Sequence, residues 1–124
     1  MKKLIEAGKI KVMLDFSDKY SWWGIYDYLN RHHKNLKEEG WRLPSINESY
    51  YLNTLYNLDI IDIPPTKREF WTSEVYSEDS NGDPTVCITY VLVSSRWIDR
   101  EKPSINASGT MANKFPLVLV KDLR

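Results

Sequence analysis

One loop of the sequence carries side chains that could bind a metal ion. Residues 77–83, SEDSNGD, offer several oxygen ligands and a glycine near the place where a calcium-binding turn needs one. The position that should supply a bidentate glutamate is Ile88, which lies in an apolar run. Asn81 and Gly82 form a strong hairpin signal, so we expect a solvated turn and no metal.

The other residue types that do chemistry lack the spacing of a reactive site. His32 and His33 are adjacent and have no histidine or cysteine four residues away, so we expect one at the surface and one over the edge of the core. No Gly-x-Ser-x-Gly elbow occurs, and Glu69 and Glu74 have an ordinary surface spacing. The sequence therefore predicts no catalytic residue and no cofactor.

Composition limits the classes of partner. The 124 residues suffice for a single domain, 1–124, and the 17 basic and 17 acidic residues form no basic stripe, which argues against nucleic acid. The single cysteine, Cys87, lies in the apolar run VCITYVLV, so it is expected to be buried and inert. The start, MKKLIEAGKIKV, lacks the apolar run of a signal peptide, and no membrane span is predicted.

Periodicity predicts a strand and two helices in the first half. Residues 9–16 alternate apolar and polar side chains, as half-buried strands do. Residues 22–39 are predicted to form a helix with Ser21 as its cap and Gly40 as its end. Its apolar stripe at helical spacing is Trp22, Ile25, Leu29 and Leu36, widened by Tyr26 and His33. A second helix is predicted over residues 46–58. Its predicted buried residues are Tyr51, Leu52, Leu55 and Leu58.

The segment between these helices, residues 40–48 (GWRLPSINE), combines a stop signal with a start signal. Pro44 prevents helix at the residue before it. Ser45 and Glu48 match a capping box, in which each side chain accepts a bond from a backbone N–H of the other residue.

The remaining side chains of this segment are expected to join the fold. Trp41 and Leu43 are predicted to insert into the core between helix and sheet. Arg42 is either solvated or held by an acidic partner such as Glu48 or Glu74, and we favour the pair.

The second half reads as strands. Residues 69–76 and 85–93 are rich in aromatic and β-branched side chains, and the second run is apolar on both faces, so it should be central in its sheet. Residues 114–123 form a closing strand that can pair with the first strand, residues 9–16. The chain is therefore expected to be an α+β domain.

The order of these pieces resembles a known family. The matching positions are Gly40, Trp41, Arg42, Leu43, Pro44, Ser45, Glu48, Trp71, Thr72, Ser73 and the strand 117–120. They are similar to the bacterial and phage C-type-lectin-like domains typified by the C-terminal domain of a collagen-like adhesin, distant relatives of the formylglycine-generating enzyme. The closing strand differs, because Leu119-Val120-Lys121-Asp122 stands where the family has an arginine.

The resemblance implies a C-type-lectin-like fold, with two helices on an antiparallel sheet, paired terminal strands and a long irregular loop. The enzymes of the wider family depend on a cysteine pair, which a chain with one cysteine lacks. The calcium-binding motifs of animal lectins, such as Glu-Pro-Asn, are also missing from the sequence. The resemblance therefore implies neither that activity nor a calcium site.

Residues 96–114 form the least regular segment and the predicted binding surface. Long irregular loops in compact domains tend to be functional, and tryptophan with arginine is a pairing common in binding hot spots. The predicted contact residues are Trp97, Arg100, Asn106, Ser108, Thr110 and Asn113. The alternative is that Trp97 packs inward and the rest of the segment is mobile.

These features favour a non-enzymatic recognition or assembly module with a protein or glycan partner. A phage virion or attachment component is compatible with them, because it reaches the outside by lysis and needs no signal peptide. An adhesin-like bacterial domain is compatible as well, because the resemblance implies the same fold. The alternatives are a degenerate enzyme related to the formylglycine-generating type, and a structural subunit that forms homo-oligomers.

Overall fold

The computed structural model describes residues 2–93 and 104–123 and shows an α+β domain, which confirms the predicted class. The strands are β1 (Lys2–Ala7), β2 (Ile10–Tyr20), β3 (Glu69–Glu78), β4 (Pro84–Val91), β5 (Ser104–Gly109) and β6 (Phe115–Asp122). The α-helices are α1 (Trp22–Asp27), α2 (Lys34–Glu38) and α3 (Ile46–Asn57). A π-helical turn (Tyr28–His32) and a 3₁₀ turn (Pro65–Lys67) complete the described elements.

The first sheet joins the two ends of the chain in the antiparallel order β1-β2-β6. Val12 lies opposite Val120, and Leu14 opposite Val118, so the predicted pairing of the first and closing strands is confirmed. The strand β1 was not predicted. It is an edge strand in which Ile5 and Ala7 pack against the core while Leu4, on the other face, is exposed, so apolar and polar residues do not alternate clearly along it.

The second sheet has the antiparallel order β3-β4-β5, and the predicted central position of the apolar strand is confirmed by β4. The prediction of one irregular segment over residues 96–114 is wrong for residues 104–109, which form β5. Ile88 of β4 lies opposite Ala107 of β5. Small polar residues can form an edge strand because the backbone of the neighbouring strand supplies the hydrogen bonds.

The single helix predicted over residues 22–39 is interrupted. The backbone N–H of His33 donates to the carbonyl of Tyr28 at 2.7 Å, which is the wider spacing of a π-helical turn. His33 then leaves helical geometry, with φ of −135° and ψ of 55°. Tyr28 and Leu29 of the π-helical turn are buried, whereas α2 has no buried residue.

The helix α3 confirms the predicted capping box and half of its predicted core. Ser45 Oγ accepts from Glu48 N at 3.1 Å, and Glu48 Oε1 accepts from Ser45 N at 2.9 Å. Leu52 and Leu55 are buried as predicted. The prediction that Tyr51 and Leu58 are buried is wrong, since they are 39% and 63% exposed. Leu58 lies beyond the last helical residue, Asn57, and Tyr51 falls outside the buried stripe.

The core consists of two clusters on either side of the first sheet's strands. One contains Val12, Leu14, Leu52, Leu55, Phe70, Tyr90 and Val118, with further buried residues around them. The other contains Met13, Ile25, Tyr28, Leu29, Trp41, Trp71, Cys87, Leu117 and Leu119. Trp41 is buried in the second cluster and Leu43 packs against it, which confirms the predicted insertion of both side chains.

Candidate functional site

The helix α1 carries a cluster of three aromatic side chains. The rings of Trp22 and Tyr26 are stacked with centroids 5.9 Å apart, because residues four apart lie on one face of a helix. Trp23 packs edge-on against both of them, at 5.0 Å from Trp22 and 5.3 Å from Tyr26. Tyr26 is 45% exposed, so this α1 aromatic cluster reaches from the core to the surface.

A pocket of about 220 Å³ opens beside the α1 aromatic cluster, and we call it the α1 pocket. Its walls come from α1, the π-helical turn, α2, the segment after Gly40, and β3. The lining residues are Trp22, Ile25, Tyr26, Leu29, Asn30, Lys37, Trp41, Arg42, Leu43 and Ser73. Most of these walls are apolar, and a few polar side chains stand among them, as is typical of small ligand sites.

Backbone geometry brings the Trp41 segment to the pocket. Gly40 has φ of 98°, a left-handed conformation that turns the chain at the end of α2. The N–H of Trp41 then donates to the carbonyl of Leu36 at 3.0 Å. The ammonium of Lys121 lies 5.6 Å from the Trp41 ring centroid, a cation–π contact that links the segment to β6.

Arg42 is anchored by both its backbone and its side chain. Its N–H donates to the carbonyl of Val120 at 2.9 Å, and the N–H of Val120 donates back at 2.8 Å. Its Nη2 lies 2.6 Å from Glu48 Oε2 and 3.5 Å from Asp122 Oδ1. The predicted acidic partner is therefore confirmed as Glu48 rather than Glu74, because the capping box already places the Glu48 carboxylate beside Arg42.

Asn30 and Lys37 form a second hydrogen-bonded group in the lining of the α1 pocket. Asn30 Nδ2 donates to the carbonyl of Tyr26 at 2.7 Å, which fixes the orientation of its amide. The Asn30 Oδ1 then accepts from Lys37 Nζ. Within the described residues, the Lys37 ammonium has no carboxylate partner.

Trp22, which lines the α1 pocket, carries a polar atom that makes no hydrogen bond. Its indole Nε1 is buried and has no hydrogen-bond acceptor among the residues that the structure describes. A buried N–H without a partner costs about 1 to 3 kcal/mol, so such a group is uncommon unless a ligand or water completes it.

Four of the six predicted contact residues, Asn106, Ser108, Thr110 and Asn113, lie in the part of the chain that the structure describes. Trp97 and Arg100 lie outside the described residues. Asn106 and Asn113 are exposed, and Ser108 is half-buried. At a rise of about 3.3 Å per residue, Asn106 and Thr110 lie about 13 Å apart along the chain.

Thr110 has a structural role, which corrects its place among the predicted contacts. It is 2% exposed. Its hydroxyl donates to the carbonyls of Pro84 at 2.9 Å and Thr85 at 3.2 Å, and its own carbonyl accepts from Trp23 N at 3.4 Å. Thr110 therefore holds α1 against the start of β4, and its hydroxyl is already occupied.

A second pocket, of about 400 Å³, lies on the other side of the α1 aromatic cluster, where Trp23 lines it together with Asp79, Asp83 and Thr110. Several of its polar groups are already bonded within the protein. Trp23 Nε1 donates to the carbonyl of Pro84 at 3.2 Å, and Asp79 Oδ1 accepts from two backbone N–H groups at 2.8 and 3.0 Å. The α1 pocket is the better ligand site, because it retains donors that are not yet used.

The reactive side chains of the described region are buried or unclustered. Burial raises the pKa of the Cys87 thiol to about 11, and burial together with Tyr50 raises the pKa of Tyr90 to about 12. Both groups are therefore protonated near neutral pH. Within residues 2–93 and 104–123, no three His, Cys, Asp or Glu side chains lie close enough together to hold a metal ion.

The histidine prediction is confirmed. His32 is exposed, whereas His33 is half-buried and packs on Tyr28 with ring centroids 4.1 Å apart.

No helix in the described part of the chain is long and apolar enough to span a membrane. No protein-family model, no curated protein and no solved structure matches this chain.

Sequence reasoning named three of the residues that line the α1 pocket, Trp41, Arg42 and Leu43, but as fold markers rather than as a site. It assigned Trp22 and Tyr26 to the buried stripe of a helix. The available signal was the run Trp22-Trp23 followed by Tyr26, since three large rings on one short helix exceed the width of its single buried stripe.

Proposed function

We propose that this chain is a non-enzymatic recognition module that binds a ring-sized group of a protein or glycan partner in the α1 pocket. The observation that carries the proposal is a pocket walled by the rings of Trp22, Tyr26 and Trp41, with the charged side chains of Lys37 and Arg42 in its lining. Specific recognition combines apolar walls with a few placed polar groups, and this pocket has both.

A C-type-lectin-like fold is part of the proposal. The antiparallel pairing of β2 with β6 and the bridge between Arg42 and Val120 support it, because they tie the Gly-Trp-Arg-Leu-Pro-Ser segment to the paired terminal strands. On this basis we also propose that the chain is a virion or attachment component of a phage, or an adhesin-like bacterial domain. Mass spectrometry of purified phage particles should then detect the chain, and its consistent absence would refute the virion version.

Arrays of immobilised saccharides and proteins test the recognition function. The labelled chain should bind a discrete set of spots, and Tyr26→Ala should lose at least about tenfold in affinity, because a central aromatic contact is commonly worth about 1.4 kcal/mol or more. Tyr26 is 45% exposed, so its replacement should leave the fold intact.

Tyr76→Ala is the matched control, because Tyr76 is 70% exposed and lies outside the α1 pocket. It should bind like the unmodified chain. Equal binding by Tyr26→Ala and the unmodified chain would show that the ligand lies elsewhere.

A further inference from the structure

We infer that the group bound in the α1 pocket is one ring of an acidic saccharide, with its carboxylate beside the ammonium of Lys37. This inference rests on the proposed function and specifies its ligand. Three properties of the pocket carry it: its volume, its polar groups and its charge.

The volume fits a single ring. An engineered protein cavity of about 150 Å³ holds a benzene molecule, and drug-sized ligands need roughly 300 Å³ or more. The α1 pocket has about 220 Å³. One six-membered ring with its substituents therefore fits, and the rest of a longer chain would extend into solvent past the exposed Tyr26.

The polar groups favour a saccharide over the aromatic side chain of a protein partner. Ser73 adds an exposed hydroxyl to the lining. Both ion pairs of Arg42 use Nη2, so Nε and Nη1 have no acceptor in the described region.

An apolar ring would bury these donors without partners, which is unfavourable. The hydroxyl groups of a sugar ring can accept from them, while the C–H face of the ring packs on the indole and phenol walls.

The charge favours an acid. Two basic side chains line the pocket, Lys37 and Arg42, and no aspartate or glutamate is among its lining residues. Glu48 and Asp122 already compensate Arg42. The described partner of Lys37 is the neutral amide of Asn30, so no described carboxylate compensates its ammonium. The ammonium also has further N–H donors for a ligand. A carboxylate would form a charge-assisted hydrogen bond there.

Two monosaccharides of the same ring size test the inference. Glucuronate and glucose differ at one carbon, which carries a carboxylate in the first and a hydroxymethyl group in the second. NMR titration of the whole chain should give a dissociation constant for glucuronate at least about tenfold lower than for glucose, since a hydrogen bond to a charged group contributes about that much. Equal constants, or no binding of glucuronate, would overturn the inference.

A charge-removing variant locates the carboxylate. Lys37→Gln should weaken glucuronate binding about tenfold and leave glucose binding unchanged. Lys34→Gln is the control, because Lys34 is an exposed lysine of the same helix and does not line the pocket. Equal loss in both variants would mean a general charge effect and would overturn the placement beside Lys37.

These outcomes separate the inference from the proposed function. If the array shows a ligand that requires Tyr26 and neither monosaccharide binds, the recognition function stands and the acidic saccharide is refuted. If Tyr26→Ala has no effect on any ligand, the pocket itself is refuted as the site.

Discussion

Removal of the Glu48 carboxylate should destabilise the junction between α3 and the Arg42 segment in two separable ways. Glu48 Oε1 accepts from Ser45 N at 2.9 Å and completes the capping box. Glu48 Oε2 lies 2.6 Å from Arg42 Nη2. One carboxylate therefore starts a helix and holds a lining residue of the α1 pocket.

The size of each contribution depends on its surroundings. The capping hydrogen bond should contribute about 1 kcal/mol to the free energy of unfolding, the usual net value for one bond. The side chains of the ion pair are 43% and 21% exposed, so solvent screening limits it to about 1 kcal/mol or less. Glu48→Ala should therefore lower the free energy of unfolding by about 1 to 2 kcal/mol.

Glu48→Gln is the matched control, because glutamine can keep the capping bond and loses only the charge. Urea denaturation at low salt should place it between the unmodified chain and Glu48→Ala. At about 1 M NaCl, where salt weakens a partly exposed ion pair, the difference between Glu48→Gln and the unmodified chain should shrink. If Glu48→Ala were as stable as the unmodified chain, the assignment of two roles would be refuted. The same holds if both variants lost equal free energy of unfolding at high salt.

Three further perturbations test other parts of the structure. Trp41→Ala should lower the free energy of unfolding by about 3 to 5 kcal/mol in urea denaturation, as a large-to-small change at a site only 5% exposed; an unchanged melting temperature would contradict the burial. The pKa of Cys87 rises from 9.0 in the unfolded chain to about 11 on folding, so its contribution to stability is complete below pH 9 and is lost towards pH 11. The free energy of unfolding should fall by about 1.4 kcal/mol per pH unit from this group, and Cys87→Ala should remove that part of the dependence on pH. The same dependence on pH in both chains would contradict the burial of the thiol. Gly8→Ala should cost at least about 1 kcal/mol, because Gly8 has φ of 63° and an added Cβ would lie 2.6 Å from Tyr51 Oη. Adding Tyr51→Phe to Gly8→Ala should relieve the clash with the hydroxyl but not the backbone strain. A Gly8→Ala variant with an unchanged free energy of unfolding would show that neither is present.

The strands that pattern reasoning found contain a run or an alternation of buried apolar residues. Residues in β2, β4 and β6 alternate or run apolar because neighbouring elements cover them, and this leaves a readable period. The edge strands β1 and β5 carry no such pattern. Their strand conformation depends on hydrogen bonds to β2 and β4, which no local sequence signal records.

The broken first helix shows a second limit. Apolar spacing predicted helix from residue 22 to residue 39, and the side chains Ile25 and Leu29 do lie in the core. The π-helical turn separates α1 from α2, and His33 between them leaves helical geometry. A periodic pattern predicts which residues are covered, but not a change of backbone geometry between them.

The candidate site was the least predictable part. Tyr26 follows Trp22 at a spacing that suits a buried stripe and an exposed platform equally well. Which of the two it becomes depends on how closely the segment of Trp41 and Leu43 approaches α1. Irregular sequence drew attention to residues 96–114 instead, where Thr110 proved to be a buried structural residue.

The resonance of the Trp22 indole N–H tests the central claim most directly. In a ¹H–¹⁵N spectrum of the whole chain, Trp22→Phe identifies this signal by its disappearance. The indole N–H of Trp71 is an internal reference, because it is buried and donates to the carbonyl of Tyr20 at 3.0 Å. On addition of the tightest array ligand, the Trp22 signal should move because the bound group changes the surroundings of its indole, while the Trp71 signal stays in place. A bound ligand that leaves the Trp22 signal unmoved would contradict the assignment of the α1 pocket as the recognition site.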